Sequence, residues 1–151
     1  MAHQDDKKKK FKPKIHRTDK DFVIQKDGRV FLKGKKGCSG FIAFYAPWCG
    51  YCQEAAPIWN DWADQFEGSQ SFMFLAVDCT DEAHTAKVAG ALQIRSYPTI
   101  KFIDQNTQEI LSTDSPDGNI IPRTREGLGA FLKKKGLIAT AATAATAAAA
   151  V

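Results

Sequence analysis

Apolar and polar positions divide this chain into short segments with glycine-containing or charged joints. Phe22-Val23-Ile24-Gln25 and Arg29-Val30-Phe31-Leu32 flank Lys26-Asp27-Gly28, which is a hairpin signal. Phe41-Ile42-Ala43-Phe44-Tyr45-Ala46 has no polar break and is rich in aromatic residues, so it predicts a buried strand. From residue 50 to about residue 66 the period changes. Ile58, Trp62 and Phe66 recur every fourth position, which gives a helix one apolar face. Residues 72–77 predict the next strand, and residues 81–92 a helix begun by Thr80 or Asp81. Residues 99–103 and 109–112 predict a second hairpin. Residues 125–135 predict a last helix, with Leu128, Phe131 and Leu132 inward and Lys133, Lys134 and Lys135 suited to its C-terminal end.

The ends carry no such pattern. Residues 1–21 are polar and aperiodic and predict a basic, disordered segment. Residues 137–151 are almost all Ala and Thr from Ala139 onward. Alanine favours helix, but Thr140, Thr143 and Thr146 weaken it, and an isolated helix this short is marginal, so a low-complexity tail is expected. The expected organisation is one α/β domain over residues 22–136 between these two ends.

Composition changes this picture little, and charge changes it more. With 151 residues, 44% hydrophobic and 25% charged, the chain fits a single globular domain. Residues 1–36 hold 13 Lys and Arg against 5 acids, a net of +8, and the remainder has a net of −4. The positive excess therefore belongs to the N-terminal stretch, where Lys7 to Lys10 are consecutive. That stretch could contact nucleic acid or an anionic membrane; a solvated tail is the preferred reading. No apolar run approaches the ~20 residues that span a bilayer. The N-terminus lacks the apolar segment of a secretory signal, and the C-terminus lacks a retrieval signal. The expected location is the cytoplasm by default, or the endoplasmic-reticulum lumen if targeting ends have been trimmed.

Candidate chemistry concentrates at Cys49-Gly50-Tyr51-Cys52, between the buried strand and the first helix. A cysteine at a helix N-terminus has its thiolate favoured by unpaired N–H groups and the macrodipole. The second cysteine, one turn on, can close a small disulfide ring with it. Zinc is the rival use of this spacing, but a structural site usually needs a second ligand pair. Cys38 and Cys79 stand alone, and His3, His16 and His84 are scattered. The reading is redox, with no metal. In neighbouring parallel strands Cys38 and Cys79 would lie at opposite ends, roughly 20 Å apart and beyond disulfide reach, so both are expected to be free thiols, Cys79 largely buried.

Ala46-Pro47-Trp48-Cys49-Gly50-Tyr51-Cys52 resembles the active site of the thioredoxin superfamily, and its Tyr-Ala-Pro-Trp-Cys-Gly lead-in is most similar to catalytic domains of protein disulfide isomerases. Pro57, Val77-Asp78-Cys79-Thr80 and Arg95-Ser96-Tyr97-Pro98-Thr99-Ile100-Lys101-Phe102 extend the likeness across about residues 37–136. The resemblance implies a thioredoxin fold, with a central mixed sheet and helices on both faces. It implies Cys49 as nucleophile and Cys52 as resolving thiol, with Trp48 covering one side of the site. Pro98 would be a cis-proline against the disulfide, and Tyr97 would offer its backbone to an extended substrate. Arg123, five residues before Leu128, matches an arginine thought to ease proton loss from the resolving cysteine; Arg125 is the neighbouring candidate. Trp59 is read as packing rather than as part of the site.

Three departures stand out. The family usually places a helix after its first strand, but here the stretch is short and holds Gly28, Gly34 and Gly37, so that helix is expected to be reduced or absent. The family's buried acid and its partner lysine fall at Ala43 and Ala76, so Cys52 lacks its usual base. Tyr51 stands where reducing thioredoxins have proline and isomerases have histidine. The implied activity is thiol–disulfide exchange with protein substrates. The alternatives are a glutathione-coupled oxidoreductase, suggested by Tyr51, and a peptide-binding or chaperone module with weak redox turnover. No cofactor is expected beyond the redox-active Cys49–Cys52 pair, with glutathione as the co-substrate in the glutathione-coupled alternative. The expected partners are extended segments of substrate proteins and a thiol reductant, and the expected state is a monomer.

Overall fold

The central strand, β3 (Ser39–Tyr45), is buried at all seven positions. That is the physical reason its sequence runs apolar without alternation: both faces are covered. It pairs in parallel with β4 (Phe72–Asp78), from Ser39↔Phe72 to Tyr45↔Asp78. It pairs antiparallel with β5 (Thr99–Ile103), from Gly40↔Ile103 to Phe44↔Thr99. The sheet is therefore mixed, in the order β4-β3-β5. In this computed structural model the described residues are 15–34, 37–69, 72–111 and 125–134.

Side chains of β3 alternate between two cores. On one face Phe41, Ala43 and Tyr45 pack with Phe74 and Ala76 beneath α1 (Gly50–Gln65) and α3 (Arg125–Lys134), which contribute Trp59, Trp62, Leu128 and Leu132. Phe41 sits at its centre, with the rings of Phe72, Phe74, Phe102 and Phe131 at 5.1, 5.6, 5.7 and 5.9 Å. On the other face Ile42 and Phe44 pack with Leu75, Val77 and Val88, the last from α2 (Glu82–Ala91). Helices on both faces of a mixed sheet are the architecture implied by the resemblance. Gly40 is required where β3 passes β4, because a Cβ there would collide with the Met73 carbonyl oxygen.

The N-terminal third differs from the usual arrangement in a specific way. β1 (Phe22–Ile24) and β2 (Val30–Leu32) form the hairpin expected around Gly28, whose φ of 92° is one that glycine adopts freely. Among the described residues no helix lies between β2 and β3. The hairpin instead extends the sheet beyond β5 through residues 108–111. Ile110 donates its N–H to Val30, Leu32 donates to Gln108, and Leu111 donates to Phe102. Phe22, Val30 and Leu32 thereby fill the second core, in place of a helix.

Residues 15–21 fall within the stretch that sequence assigns to a disordered arm, yet they are part of the fold. Ile15 is buried, His16 makes a parallel bridge to Ala76, and Arg17 donates its N–H to the Ala76 carbonyl at 2.9 Å. The Asp19 carboxylate accepts the backbone N–H groups of Val88 at 2.8 Å and Lys87 at 3.3 Å. One buried apolar residue and a few long-range bonds order this segment, and neither leaves a periodic trace. The Lys-rich residues before it and the Ala/Thr tail lie outside the described residues.

Candidate redox site

The site is built where β3 ends and α1 begins. After Tyr45 the chain turns through Ala46-Pro47-Trp48. Cys49 donates its N–H to Ala46, and the Gln53 side chain donates to the Pro47 carbonyl at 2.9 Å. Cys49 is the N-cap of α1, with an extended backbone, and accepts the Gln53 N–H through its carbonyl. Pro57 lies inside the helix, where its missing N–H leaves the Gln53 carbonyl without its usual intrahelical partner.

The two cysteines occupy different environments. Cys49 is half-buried, while Cys52 is 2% exposed and packed in the first core with Tyr45 and Ala56. Burial pushes the Cys49 thiol up, but hydrogen bonds from the Cys52 backbone N–H, the Cys52 thiol and the Tyr51 N–H outweigh it. The net result is a Cys49 thiol below its ordinary value, suited to reaction as a thiolate. A Cβ at position 50 would meet no atom within 4 Å, so the first turn of α1 is uncrowded there.

Opposite Cys49 lies the loop before β5. The Tyr97–Pro98 peptide bond is cis, and the Cys49 thiol donates to the Tyr97 carbonyl at 3.5 Å. Trp48, 70% exposed, meets the Tyr97 ring edge-on at 5.8 Å, and Tyr51 is 75% exposed. Exposed aromatic side chains thus stand beside the Cys49 thiol. Trp59 is buried and donates its indole N–H to the Leu75 carbonyl at 2.9 Å, which fastens α1 to β4. It packs, as expected.

Cys49, Gly50, Tyr51, Cys52, Trp48, Tyr97 and Pro98 come together at one end of the sheet. Arg123 lies outside the described residues, and of Arg125 the structure describes only its place at the start of α3. Cys38 and Cys79 are free and half-buried. Cys79 is thus less buried than expected, though burial first, then the neighbouring Asp78 and Cys52 charges, push its thiol up to about 12. Burial also pushes Cys38 up. Ala43 and Ala76 are cross-strand partners, both buried. Sequence reading passed over two polar groups beside them. Tyr45 lies two residues beyond Ala43 on the same face, and its hydroxyl meets His16 Nε2 at 2.7 Å. His16 belongs to a segment with no periodicity, so no sequence signal marked it. Among the described residues no group of three or more His, Cys, Asp and Glu side chains is arranged to hold a metal ion.

A mixed sheet, a Cys-x-x-Cys at a helix N-terminus and a facing cis-proline define a dithiol site of the thioredoxin type. A thioredoxin family model matches residues 35–133, more than half of the chain, and the chain belongs to that family. It is similar to a protein disulfide-isomerase of Gallus gallus, with 31% identity over 96 residues that make up 64% of this chain and 17% of that one. It is also similar to protein disulfide-isomerase 1 of Dictyostelium discoideum, with 38% identity over 68 residues, 44% of this chain and 18% of that one. The chain thus spans less than a fifth of the length of either relative. Human ERp44 shares the fold, with a TM-score of 0.52 at 21% identity over 66% of this chain and 28% of that one. No described helix is long and apolar enough to cross a membrane.

Proposed function

We propose that this domain is a thiol–disulfide oxidoreductase that exchanges disulfides with protein substrates through Cys49 and Cys52. The observation that carries the reading is the asymmetry of the pair: one half-exposed thiol held below its ordinary value, one buried thiol a turn away. The Cys49 thiolate attacks a substrate disulfide, forms a mixed disulfide and displaces one substrate thiolate. The Cys52 thiolate then attacks the Cys49 sulfur, displaces the second substrate thiolate and leaves a Cys49–Cys52 disulfide. Two electrons pass to the substrate. Run backward, the same steps oxidise a substrate dithiol. A small thiol reductant, glutathione included, is the proposed source of electrons for return to the dithiol.

An extended substrate segment is proposed to lie along the Tyr97 backbone, with Trp48 and Tyr51 against its side chains. The supporting geometry is the Tyr97 carbonyl within 3.5 Å of the Cys49 sulfur and the open rim beside it. Arg123 keeps its proposed role near the resolving cysteine on the strength of the resemblance alone.

The test pairs insulin reduction with trapping. Cys52→Ser is expected to accumulate mixed disulfides with substrate proteins, and Cys49→Ser to accumulate none. Equal trapping by both variants would overturn the roles. Insulin turnover that survives in the Cys49→Ala, Cys52→Ala protein would overturn the activity, and peptide binding without turnover in the parent would favour a binding module.

A further inference from the structure

The hairpin that extends the sheet beyond β5 leaves β1 as the outermost strand, and its outward edge can be read from the bonds around it. On β2, Ile110 donates to the Val30 carbonyl and Leu32 donates to the Gln108 carbonyl, both at 2.8 Å, so the even-numbered residues face residues 108–110. β2 therefore meets β1 through its odd-numbered residues. The bonds that flank the ladder agree: Lys33 donates to the Asp21 carbonyl and Gln25 to the Arg29 carbonyl, again at 2.8 Å. Bonded positions alternate in an antiparallel pair, so Phe22 and Ile24, opposite Leu32 and Val30, point their backbone groups away from β2. The Phe22 N–H is taken by the Asp19 carbonyl. The Phe22 carbonyl and both backbone groups of Ile24 have no partner among the described residues.

The side chains along this edge are equally unengaged. Val23 is 45% exposed and Ile24 38%, an adjacent aliphatic pair in solvent. Lys20, Lys26 and Lys33 stand exposed at the two ends of the hairpin strands, and none enters an ion pair among the described residues. The three acids of residues 15–34 are committed elsewhere. Asp19 accepts the N–H groups of Lys87 and Val88, Asp21 accepts the Thr18 N–H at 2.8 Å, and Asp27 pairs with Arg29 at 2.9 Å. Unpaired backbone, apolar side chains and positive charge thus coincide on one strand.

The geometry points to β1 as a docking strand for an extended, acidic segment of another protein in which apolar residues alternate with carboxylates. Such a segment adds a strand to the sheet: its N–H groups bond the Phe22 and Ile24 carbonyls, and one of its carbonyls takes the Ile24 N–H. Its carboxylates meet Lys20, Lys26 and Lys33, and its apolar side chains cover Val23 and Ile24. The lysines also select the partner. A second copy of this edge would set like charges against each other, whereas an acidic strand meets opposite ones. Nucleic acid or lipid headgroups would use the lysines and leave the Ile24 backbone unpaired, so the edge favours a peptide.

The test is a titration of the full chain into a fluorescein-labelled hexapeptide of alternating glutamate and valine, read by anisotropy. Saturable binding that weakens as salt rises is expected. The same peptide methylated at every backbone nitrogen keeps its charges and side chains but cannot donate to the edge, and should bind about ten-fold more weakly or worse. Ile24→Pro removes the outward N–H at a position where an edge strand tolerates proline, and should weaken binding of the unmethylated peptide in the same way. Lys20→Glu, Lys26→Glu and Lys33→Glu together should abolish binding and admit a lysine–valine hexapeptide instead. Insulin reduction should stay at the parental rate in these variants, which shows that they are folded; the methylated peptide probes the same bonds in the parent chain, so the test does not depend on them. Equal affinity for the two glutamate peptides would overturn the docking strand, as would binding that survives the three lysine substitutions. Phosphatidylserine vesicles or a single-stranded oligonucleotide bound through those lysines, with no peptide binding, would overturn it in favour of an anionic surface.

Discussion

The two outer edges of the sheet are closed by neighbouring stretches of the N-terminal chain, with different results. Beyond β5, the β1–β2 hairpin is joined through residues 108–111 and sends Phe22, Val30 and Leu32 into the second core. It is scaffold. Beside β4, residues 15–17 make a single bridge at Ala76, bury one side chain and bring a histidine to the core that holds Cys52. The hairpin edge is the more extensively bonded; the thinner edge rests on one bridge and one buried side chain.

Removing the β4 edge should have the largest effect. Deletion of residues 1–21 strips away Ile15 and the Asp19 carboxylate on α2. Together these predict a loss of about 3–4 kcal/mol in urea unfolding, from one buried side chain and one carboxylate that accepts two backbone N–H groups. A loss below 1 kcal/mol would show that this edge is ornamental. On the hairpin edge, Val30→Ala empties part of a fully buried site. It should cost about 1.5–3 kcal/mol, yet leave insulin reduction at the parental rate. A changed rate would mean the hairpin edge is coupled to the redox site through β3.

The Tyr45–His16 bond sharpens the contrast from the other side. Tyr45→Phe should cost only about 0.5–1.5 kcal/mol of stability in urea unfolding, less than Val30→Ala. If Tyr45→Phe proves the more destabilising of the two, the thinner edge holds the fold more firmly than its few bonds imply.

Thiol ionisation supplies a further separation. Cys79 has its folded-state value raised from 9.0 to about 12, so the folded chain holds this proton after the unfolded chain has lost it. Its contribution to stability is therefore full below pH 9 and is lost as pH rises toward about 12. Cys79→Ser should remove that part of the alkaline decline in the urea midpoint, and a slope identical to the parent's would contradict the assignment. Cys49, held below its ordinary value, should be the first thiol alkylated by iodoacetamide at pH 7, and Cys79 should stay unmodified. The smallest effect is expected from deleting residues 1–10. It should change stability by less than about 0.5 kcal/mol, as for a solvated arm. Salt-sensitive vesicle or nucleic-acid binding lost with those residues would favour an electrostatic arm instead.

Much of the scaffold was legible in the sequence because its signals are local. The apolar run at Phe41, the four-residue spacing of Ile58, Trp62 and Phe66, and the Gly28 turn each act within a dozen residues. β3, α1 and the first hairpin form where those signals lie. The position of Cys49 and Cys52 was equally legible, since a Cys-x-x-Cys at a helix start needs only the strand-to-helix junction around it. The cis-proline and the facing Tyr97 carbonyl were anticipated through likeness to a family, not through periodicity. What sequence could not reveal depends on pairs far apart in the chain. His16 meets Tyr45 and Ala76 only after β3 and β4 have aligned in parallel. Sheet edges are closed by backbone hydrogen bonds, which any residue but proline can donate, so residues 15–17 carried no residue-type signature of their partner. The junction at Cys49 was written locally, and the partner of the Tyr45 hydroxyl was decided by which distant backbone lay down beside β4.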